Sequence, residues 1–378
     1  MLTINGRLRL MRVRWHCPAE GSETPTDLFL DQMEATISEG VREMACRVNQ
    51  DTSGFEKAAA NLYRTAHIQI SKESLRQLVE AEGKSVLRQL RQGELRPDWS
   101  SEDCRSEQDA TRLYLGCDGV KVPLVTDEEK KKRRRGVLAK RRRRGRRCKL
   151  LPRLRRGADC AYKDFKVAYL YDEPKRHRYV GVSAGNHEAA GRLMQRMGDH
   201  VGLSRAEEKI ALIDGAPWIR NQIEFHGLTE NIGLDFYHLQ DNAQKARLSV
   251  FGEQSEEGKD WVSNLMHTFK HEGYPAAWEL LAQTRGSLRS TRKREAIDRL
   301  AQYAAERRDM IRYPAFRERG WQIGSGPTEA ECKTTTSRVK GRGRRWDSPN
   351  AEAMMALAAL HDSGMWNQHW TTLDPERN

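Results

Sequence analysis

Residues 321–346 read WQIGSGPTEAECKTTTSRVKGRGRRW, and this stretch decides how the rest of the chain is interpreted. Gly324, Gly326 and Pro327 break the backbone, and a helix can begin at the proline, where a missing N–H costs nothing. Glu329 then lies in the first helical turn and points back toward whatever the Gly-Ser-Gly turn approaches. One carboxylate cannot hold a magnesium ion alone, because Mg²⁺ needs further carboxylates and waters. The stretch therefore predicts partner carboxylates upstream.

Cations follow Glu329 on and after the predicted helix, and such side chains are suited to phosphate. They are Lys333, Arg338, Lys340, Arg342, Arg344 and Arg345. A second acid, Glu331, lies two positions after Glu329, which is about 200° around a helix. Only one of the two carboxylates can face a given site, and Glu329 is preferred.

Two upstream strand-like runs carry an acid. Residues 113–125 (LYLGCDGVKVPLV) have Asp118 at their centre, and residues 211–219 (ALIDGAPWI) form a short strand that ends in Asp214. Pro217 is placed to open the next helix. Either Asp-Gly pair alone is commonly just a turn. Three carboxylates on separate elements, however, can bind two divalent metals about 4 Å apart, the arrangement that cuts and rejoins phosphodiesters.

The motifs follow one another in the order Asp118-Gly, LIDGAPWI (212–219), LDFYH (234–238), GSGPTE (324–329) and KGRGRRW (340–346). In this order they resemble the landmarks of the ISKra-type insertion-sequence transposases, which are DDE enzymes related to the Mutator-like group. The resemblance spans roughly residues 55–362. It implies transposition of DNA on an RNase H-like core, with two Mg²⁺ or Mn²⁺ ions held by Asp118, Asp214 and Glu329.

Two further residues of the LDFYH motif are candidates for the same site. Asp235 could be a metal ligand itself, but the family pattern gives the second ligand position to Asp214. Asp235 and His238 are therefore expected to lie behind the ligands and to orient the site or the scissile phosphate. A lone histidine at a strand end is equally often a satisfied core residue.

Composition argues against a membrane-embedded protein. Charged residues make up 31% of the chain and apolar residues 38%, and no apolar run approaches the ~20 residues that span a bilayer. The N-terminus lacks the apolar core of a signal peptide, so a cytoplasmic, nucleoid-associated location in a bacterium is expected. Seven scattered cysteines without a Cys-x-x-Cys pair indicate reduced thiols and argue against a zinc site.

The net charge of +13 is concentrated in one segment. Residues 130–156 contain 17 Lys or Arg and no acid, so the rest of the chain has a net charge of −4. The densest part is Arg141, Arg142, Arg143 and Arg144. Such a run can be a solvated disordered loop or a localisation signal. Contact with DNA is preferred, because each neutralised phosphate releases counterions and adds affinity.

The predicted fold class is α/β: an RNase H-like mixed sheet with an all-α insertion, preceded by an all-α, helix-turn-helix-like DNA-binding region. In chain order the predicted segments are an N-terminal arm (1–27), a helical DNA-binding region (28–98), a linker (99–112), the first part of the core (113–239), the all-α insertion (240–320), the second part of the core (321–362) and a tail (363–378). The resembled family often has a zinc ribbon at the N-terminus, of which only Cys17 and His16 remain.

Helical periodicity dominates residues 28–98. It predicts helices over 28–48 and 55–65, and a third helix that Ser71 caps and that ends at Gly83. Lys72, Arg76 and Gln77 point outward early on the third helix, which is typical of a helix-turn-helix that reads base edges. The alternative is an ordinary helical bundle that packs against the core.

Within the core, residues 162–171 and 178–183 are predicted to form a hairpin, and Asn186 to cap the next helix. The first and fourth strands of an RNase H-like sheet are neighbours, so Asp118 and Asp214 should lie together. A fifth strand is predicted over residues 232–236. Trp261 and Trp278 in the helical insertion either form core or brace DNA.

The sequence thus predicts a metal-dependent DNA transposase whose partners are the terminal inverted repeats and target DNA, bound as a homodimer or larger assembly. One alternative is a decayed transposase that acts only as a DNA-binding protein. Another is a haloacid-dehalogenase-type phosphatase with Asp118 as nucleophile. That chemistry usually needs a second Asp two residues on, where this chain has Val120.

Overall fold

The computed structural model describes residues 1–9, 13–19, 21–23, 36–144 and 150–370, and it is a mixed α/β protein. The chain divides into two compact units. Unit 1 comprises Met1–Pro97, Val120–Phe165 and Lys333–Asn378, and unit 2 comprises Asp98–Gly119 and Lys166–Cys332. Two strands and one helix continue from one unit into the other.

A five-stranded mixed sheet organises unit 2. Its strands are β5 (Arg112–Pro123), β6 (Tyr162–Tyr171), β7 (Arg178–Ser183), β8 (Glu208–Ile213) and β9 (Asn231–Leu234). The spatial order is β7-β6-β5-β8-β9. β6 and β7 form an antiparallel hairpin, as predicted, whereas β5, β8 and β9 are parallel. The predicted adjacency of the first and fourth core strands is confirmed, since β5 pairs with β8.

The parallel strands β8 and β9 consist largely of apolar residues, and these residues are buried. Residues 210–213 of β8 and 232–234 of β9 are all buried, as expected for strands covered on both faces. One cation enters this interior at the start of β5. Arg112 is 2% exposed and donates hydrogen bonds to Glu208 and Glu173, so its buried charge is paired.

Helices fill the rest of unit 2. They are α5 (His187–Val201), α6 (Pro217–Phe225), α7 (Phe236–Val250), α8 (Glu256–His271), α9 (Tyr274–Ser287), α10 (Thr291–Ala305) and α11 (Tyr313–Glu318). The predicted cap of α5 is confirmed, since the Asn186 side chain accepts the Ala189 N–H at 3.0 Å. The helices α7 to α11 follow β9 in sequence, so this stretch is helical as predicted. Within it, Trp261 donates to Thr284, whereas Trp278 is 41% exposed.

One predicted strand end is wrong. The expected strand over 232–236 stops at Leu234, and Phe236 already belongs to α7. The reason is the side chain of Asp235, which accepts the backbone N–H of His238 and so caps the helix. The motif that resembles a strand end is therefore a strand-to-helix junction.

Unit 1 contains the N-terminal helices and the C-terminal end of the chain. Its helices are α1 (Glu39–Gln50), α2 (Phe55–Ala66), α3 (Lys72–Gln92), α4 (Asp127–Arg144), α13 (Ser348–Asp362) and α14 (Trp366–His369), and α12 (Gly326–Lys340) enters it from unit 2. Short two-stranded pairs precede α1: β1 (Leu2–Thr3) with β2 (Gly6–Arg7), and β3 (Trp15–Cys17) with β4 (Gly21–Glu23). In the latter pair His16 bonds to the Ser22 hydroxyl.

The predicted helix boundaries in unit 1 need two corrections. Of the predicted helix 28–48, residues 28–35 lie outside the described residues, and α1 spans 39–50. The third helix, predicted to end at Gly83, continues to Gln92. Gly83 serves close packing instead of termination, because a Cβ there would lie 2.6 Å from the carbonyl oxygen of Ala353 on α13. Residues 351–360 of α13 are all buried, as expected for a helix that is apolar all round.

Two segments predicted as loose are ordered. The predicted linker 99–112 contains a 3-10 helix, Ser101–Asp103, closed by a capping box between Ser100 and Asp103, and Cys104 after it is fully buried. The predicted tail begins with α14, and Trp370 is 1% exposed because it packs beside Trp366. The rest of that tail, residues 371–378, lies outside the described residues.

The basic segment forms a helix over its first part. α4 spans residues 127–144, none of its residues is buried, and most of its cations are exposed. Residues 145–149 of the segment lie outside the described residues. In the described part of the chain, no helix has the length and apolar composition that crossing a bilayer would require.

We expect Gly83→Ala to destabilise unit 1, because the added methyl would overlap the Ala353 carbonyl. Overpacking costs about 1–3 kcal/mol, which exceeds the ~0.5–1 kcal/mol that alanine gains over glycine within a helix. The measurement is the unfolding free energy in urea.

Gly136→Ala is the matched control. Gly136 is exposed on α4 and a Cβ there meets no atom within 4 Å, so alanine should stabilise or leave the protein unchanged. If both variants stabilise equally, the close packing of α3 on α13 is contradicted.

Candidate functional site

Three aspartates lie in one row across the parallel strands of unit 2. The register pairs Arg112 of β5 with Glu208 of β8 and Ile210 of β8 with Asn231 of β9. Continued to the ends of the strands, the same register places Asp118 opposite Asp214 and Asp214 opposite Asp235. Because the strands are parallel, the three carboxylates belong to the same edge of the sheet.

Asp235 is the most tightly held member of the row. It is 1% exposed, and its carboxylate accepts hydrogen bonds from the Ser325 N–H at 2.6 Å and from the His238 N–H at 2.9 Å. The His238 ring nitrogen Nδ1 lies 2.6 Å from the same carboxylate. With three nitrogen partners, Asp235 fixes both the turn before α12 and the direction of the imidazole.

The turn that carries Asp214 is held by α10 and the residues that follow it. Gly215 has a φ of +85°, which favours glycine, and the Asp214 carboxylate accepts the Ala216 N–H at 2.8 Å. On the other side, the Tyr303 hydroxyl donates to the Asp214 carbonyl, and Arg307 donates to the Gly215 carbonyl. Tyr303 and Arg307 therefore help to position the Asp214 carboxylate.

Glu329 reaches the row because α12 begins very close to β5. A Cβ on Gly116 would lie 1.9 Å from the Thr328 hydroxyl oxygen, so only glycine permits this approach. Thr328 precedes Glu329, and Gly116 lies two residues before Asp118. The glutamate side chain is 41% exposed, and its Oε1 lies 3.9 Å from Nδ1 of His238.

The charges of these groups act on one another. Burial raises the pKa of Asp118, the Gly119 N–H and His238 oppose the rise, and the negative charges of Asp214 and Glu329 add to it. The pKa of His238 is raised chiefly by its hydrogen bond to Asp235, and Asp214 and Glu329 raise it further. The site thus has an excess of acidic side chains, with the imidazole of His238 on its border.

A divalent cation fits this donor set. Asp214 and Glu329 raise the pKa of Asp118, and a cation that neutralised this cluster would remove the repulsion. Mg²⁺ prefers such oxygen ligands. In the described part of the chain, the ligand atoms that approach one another within 4.8 Å at this site belong to Asp235, His238 and Glu329. Asp118, Asp214 and Glu329 are not such a group, so these three carboxylates are spaced more widely than one ion requires.

The choice between the two glutamates of α12 agrees with their exposure. Glu331 is 6% exposed and lies in the interior, whereas Glu329 is half exposed next to His238. Because the two positions point in different directions from the helix, Glu329 lies beside His238 and Glu331 is buried.

Sequence reasoning missed Lys166 on β6. It is 4% exposed, and its ammonium lies 4.3 Å from the ring centre of Trp218, which stacks on His187. A Cβ on Gly119 would be 3.2 Å from the Lys166 Nζ, so the ammonium lies beside the residue that follows Asp118. The available signal was a lysine inside a run of buried strand residues, which is unusual for an unpaired charge.

The predicted base-reading residues on α3 bond to nearby carboxylates. Lys72 pairs with Glu56, and Gln77 donates to Glu73. Arg76 lies 2.6 Å from Glu73 and from Glu80, which raises its pKa. Arg76 and Gln77 line a cleft of about 830 Å³ together with residues of α4 and residues 151–155.

The structure places one predicted phosphate ligand in the interior. Arg338 is 3% exposed, lies 4.7 Å from the ring centre of Phe55 and 5.2 Å from that of Trp346, and donates to Asn49. Burial lowers its pKa to about 10. Its guanidinium is part of the core of unit 1 and is not exposed in this structure.

The other cations after Glu329 divide into two groups. Arg344 is half-buried and donates to the carbonyl of Arg338, so it caps the end of α12. The remainder are exposed: Lys333, Lys340, Arg342 and Arg345, of which Arg345 pairs with Glu129.

We expect Gly116→Ala to separate α12 from β5 and so to weaken divalent-metal binding at the row of aspartates. The expected loss is at least ~10-fold in Mn²⁺ affinity, comparable with the loss of an orienting group around a metal site. Isothermal titration with Mn²⁺ measures it.

Thr328→Ala removes two of the three atoms nearest to the added methyl, so the double variant should recover part of the loss. Gly116→Ala binding Mn²⁺ as the wild type does would contradict the role given to this contact.

No protein-family model matches the chain, and no curated protein matches it. Among solved structures, the chain is similar to the "Drosophila P element transposase strand transfer complex", with 11% sequence identity, coverage of 91% of this chain and 83% of that chain, and a TM-score of 0.29. A similarity at that TM-score supports no conclusion about fold or function.

Proposed function

We propose that this chain is a DNA transposase of the ISKra type, which cuts transposon ends and joins the 3′-hydroxyl ends to target DNA. The observation that supports the proposal most directly is the shared row of Asp118 and Asp214 on neighbouring parallel strands, with Glu329 close enough to raise the pKa of Asp118. Phosphodiester cleavage by metal ions needs carboxylates from separate elements at one point. The order of the sequence motifs supports the same function.

The finer fold assignment belongs to this proposal. A strand order of β7-β6-β5-β8-β9, with one antiparallel hairpin and three parallel strands, supports an RNase H-like core. The helices between β9 and α12 would be its insertion. Assembly as a dimer or larger complex on DNA is part of the same proposal, since two transposon ends must be joined together.

Asp118, Asp214 and Glu329 would hold two Mg²⁺ or Mn²⁺ ions. Such a pair, when bound, supplies activation of a water or a 3′-hydroxyl and stabilisation of the leaving oxygen. The protein's own contribution is to fix these carboxylates on two strands and a helix. Asp235 keeps the imidazole of His238 directed at the site and favours its protonated form.

Two cations beside the carboxylates suit the substrate. A phosphodiester brings negative charge into a site that already has an excess of it, and a neighbouring cation offsets that repulsion. Lys166 lies beside Gly119, and His238 lies beside Glu329. We infer that they contact the phosphate backbone on either side of the scissile bond.

Replacing Asp118 or Asp214 by Asn, or Glu329 by Gln, should reduce DNA cleavage by more than ~100-fold, because each change removes a metal ligand. DNA binding should remain, since it depends on cations elsewhere. The substrate is a plasmid that carries the gene with its flanking DNA, assayed in Mg²⁺ and Mn²⁺.

Glu331→Gln is the matched control, because it changes a buried acid on the same helix, whereas Glu329 lies beside His238. It should keep most of the activity. Full cleavage by Asp214→Asn, or equal losses in Glu331→Gln and Glu329→Gln, would reject this assignment of ligands.

The end of α4 should contribute electrostatic affinity for DNA. Arg142, Arg143 and Arg144 are exposed, and substituting all three by Gln should lower the slope of log K against log salt. The slope should change by about 0.9 for each phosphate that the variant no longer neutralises, so by roughly 2–3 for three phosphates.

A control with the same loss of charge substitutes Arg64, Arg88 and Arg192, which are exposed on three other helices. It should leave the slope nearly unchanged. Equal slopes for the two triple variants would mean that the basic helix acts only through net charge.

A further inference from the structure

A second cluster of metal-binding side chains lies in unit 2, outside the row of aspartates. Cys104, Asp172 and His177 each offer one ligand atom, and these atoms all lie within 4.8 Å of one another. Cys104 is fully buried, Asp172 is 2% exposed, and the His177 side chain is 27% exposed. The cluster is therefore an interior group with one side open to solvent.

Asp172 and His177 are fixed by the turn of the β6–β7 hairpin. The Asp172 N–H donates to the His177 carbonyl at 3.2 Å, and the His177 N–H donates to the Asp172 carboxylate at 3.0 Å. The His177 ring nitrogen Nδ1 lies 2.9 Å from the same carboxylate. Trp99 packs against the imidazole at a centroid distance of 5.4 Å. Both side chains are thus held before any ligand arrives.

Cys104 is fixed by a different turn. It follows the 3-10 helix Ser101–Asp103, and the Arg112 N–H donates to its carbonyl at 2.8 Å, which anchors it to the start of β5. Its thiol faces the Ser100 carbonyl at 3.5 Å. Burial, followed by the charges of Asp172 and Asp103, raises the pKa of this thiol to about 12. A buried thiol next to two carboxylates is a poor environment for a thiolate unless a cation is present.

We propose that Cys104, Asp172 and His177 bind one Zn²⁺ ion. Sulfur, imidazole nitrogen and carboxylate oxygen together form a ligand set that zinc accepts, whereas Mg²⁺ and Ca²⁺ prefer oxygen alone. The ion replaces the thiol proton, and the thiolate and the carboxylate together balance its two positive charges. Water fills the fourth position on the open side beside His177.

The absence of a Cys-x-x-Cys pair does not exclude this site. Such pairs mark zinc sites whose ligands are close in sequence, whereas this cluster takes its ligands from two turns that the sheet brings together. Zinc here would tie the segment before β5 to the β6–β7 hairpin. The ligands proposed at the row of aspartates are all carboxylates, which suit a harder ion.

Cobalt replacement tests the site in the full-length chain. The reduced protein, freed of metal with a chelator, is titrated with Co²⁺, and the thiolate-to-cobalt charge-transfer absorption is recorded. One equivalent per chain should produce this absorption, and Zn²⁺ should abolish it. Co²⁺ bound at Asp118, Asp214 and Glu329 gives no such band, so the outcome is independent of the proposed transposase activity.

Cys104→Ser should remove the absorption, whereas two control variants should keep it. Cys46→Ser alters another fully buried thiol, and Cys17→Ser alters an exposed one. His177→Ala, at a partly exposed position, should weaken Co²⁺ binding by at least ~10-fold without preventing folding.

A second measurement covers the case in which Cys104→Ser does not fold. Adding Zn²⁺ should raise the thermal unfolding midpoint of the wild type by several degrees and that of His177→Ala much less, since a ligand of the native state stabilises it. The proposal is rejected if the wild type shows no thiolate band with Co²⁺, if the band persists in Cys104→Ser, or if His177→Ala responds to Zn²⁺ as the wild type does.

Discussion

The candidate site depends on one close approach, that of α12 to β5. Gly116 and Thr328 are so near that no side chain larger than hydrogen fits on the strand at that point. Because Asp118 and Glu329 lie within two residues of this contact, its closeness decides whether a helix-borne carboxylate reaches the strand-borne ones. The turn before α12 is secured independently, by the bonds from Ser325 to Asp235 and from Gln322 to Tyr114. The close packing of Gly116 against Thr328 thus determines the geometry of the candidate site.

Charge balance explains the other features of the site. Carboxylates gathered at one edge of the sheet repel one another, and a protein usually avoids such a cluster unless a ligand or a neighbouring cation compensates. Lys166, held over Trp218, and His238, held by Asp235, lie beside the carboxylates without neutralising all of them. A divalent cation would neutralise the negative charge that remains. The same logic separates this site from the Cys104 cluster, where sulfur and nitrogen favour a softer ion.

Much of the architecture could be predicted from local sequence patterns, because turns, helix caps and helix starts depend mainly on neighbouring residues. The hairpin of residues 162–183, the cap at Asn186 and the proline that opens α6 need no information from the rest of the chain. Gly83 and Arg338 could not be assigned in this way. A glycine within a helical pattern either ends the helix or allows another backbone to pack closely against it. At Gly83 the second case holds because α13, which is distant in sequence, packs there. Likewise the cation at 338 follows the pattern of phosphate ligands, but Phe55 and Trp346 enclose it.

For the residues predicted to read bases, ion pairs within the protein compete with contacts to DNA. Lys72 and Glu56 are both well exposed, and such a pair is worth only about 0–1 kcal/mol, so DNA could replace the carboxylate at little cost. Arg76 differs, because one of its partners, Glu80, is only 11% exposed and would be left without its cation. Removing the partner of a largely buried charge costs ~3 kcal/mol or more, which matches or exceeds the ~1–3 kcal/mol of a good base contact. Arg76 is therefore better explained as a link between Glu73 in the first turn of α3 and Glu80 in the third. In the proposed function, electrostatic affinity for DNA rests on other cations, such as the exposed Arg142, Arg143 and Arg144 at the end of α4.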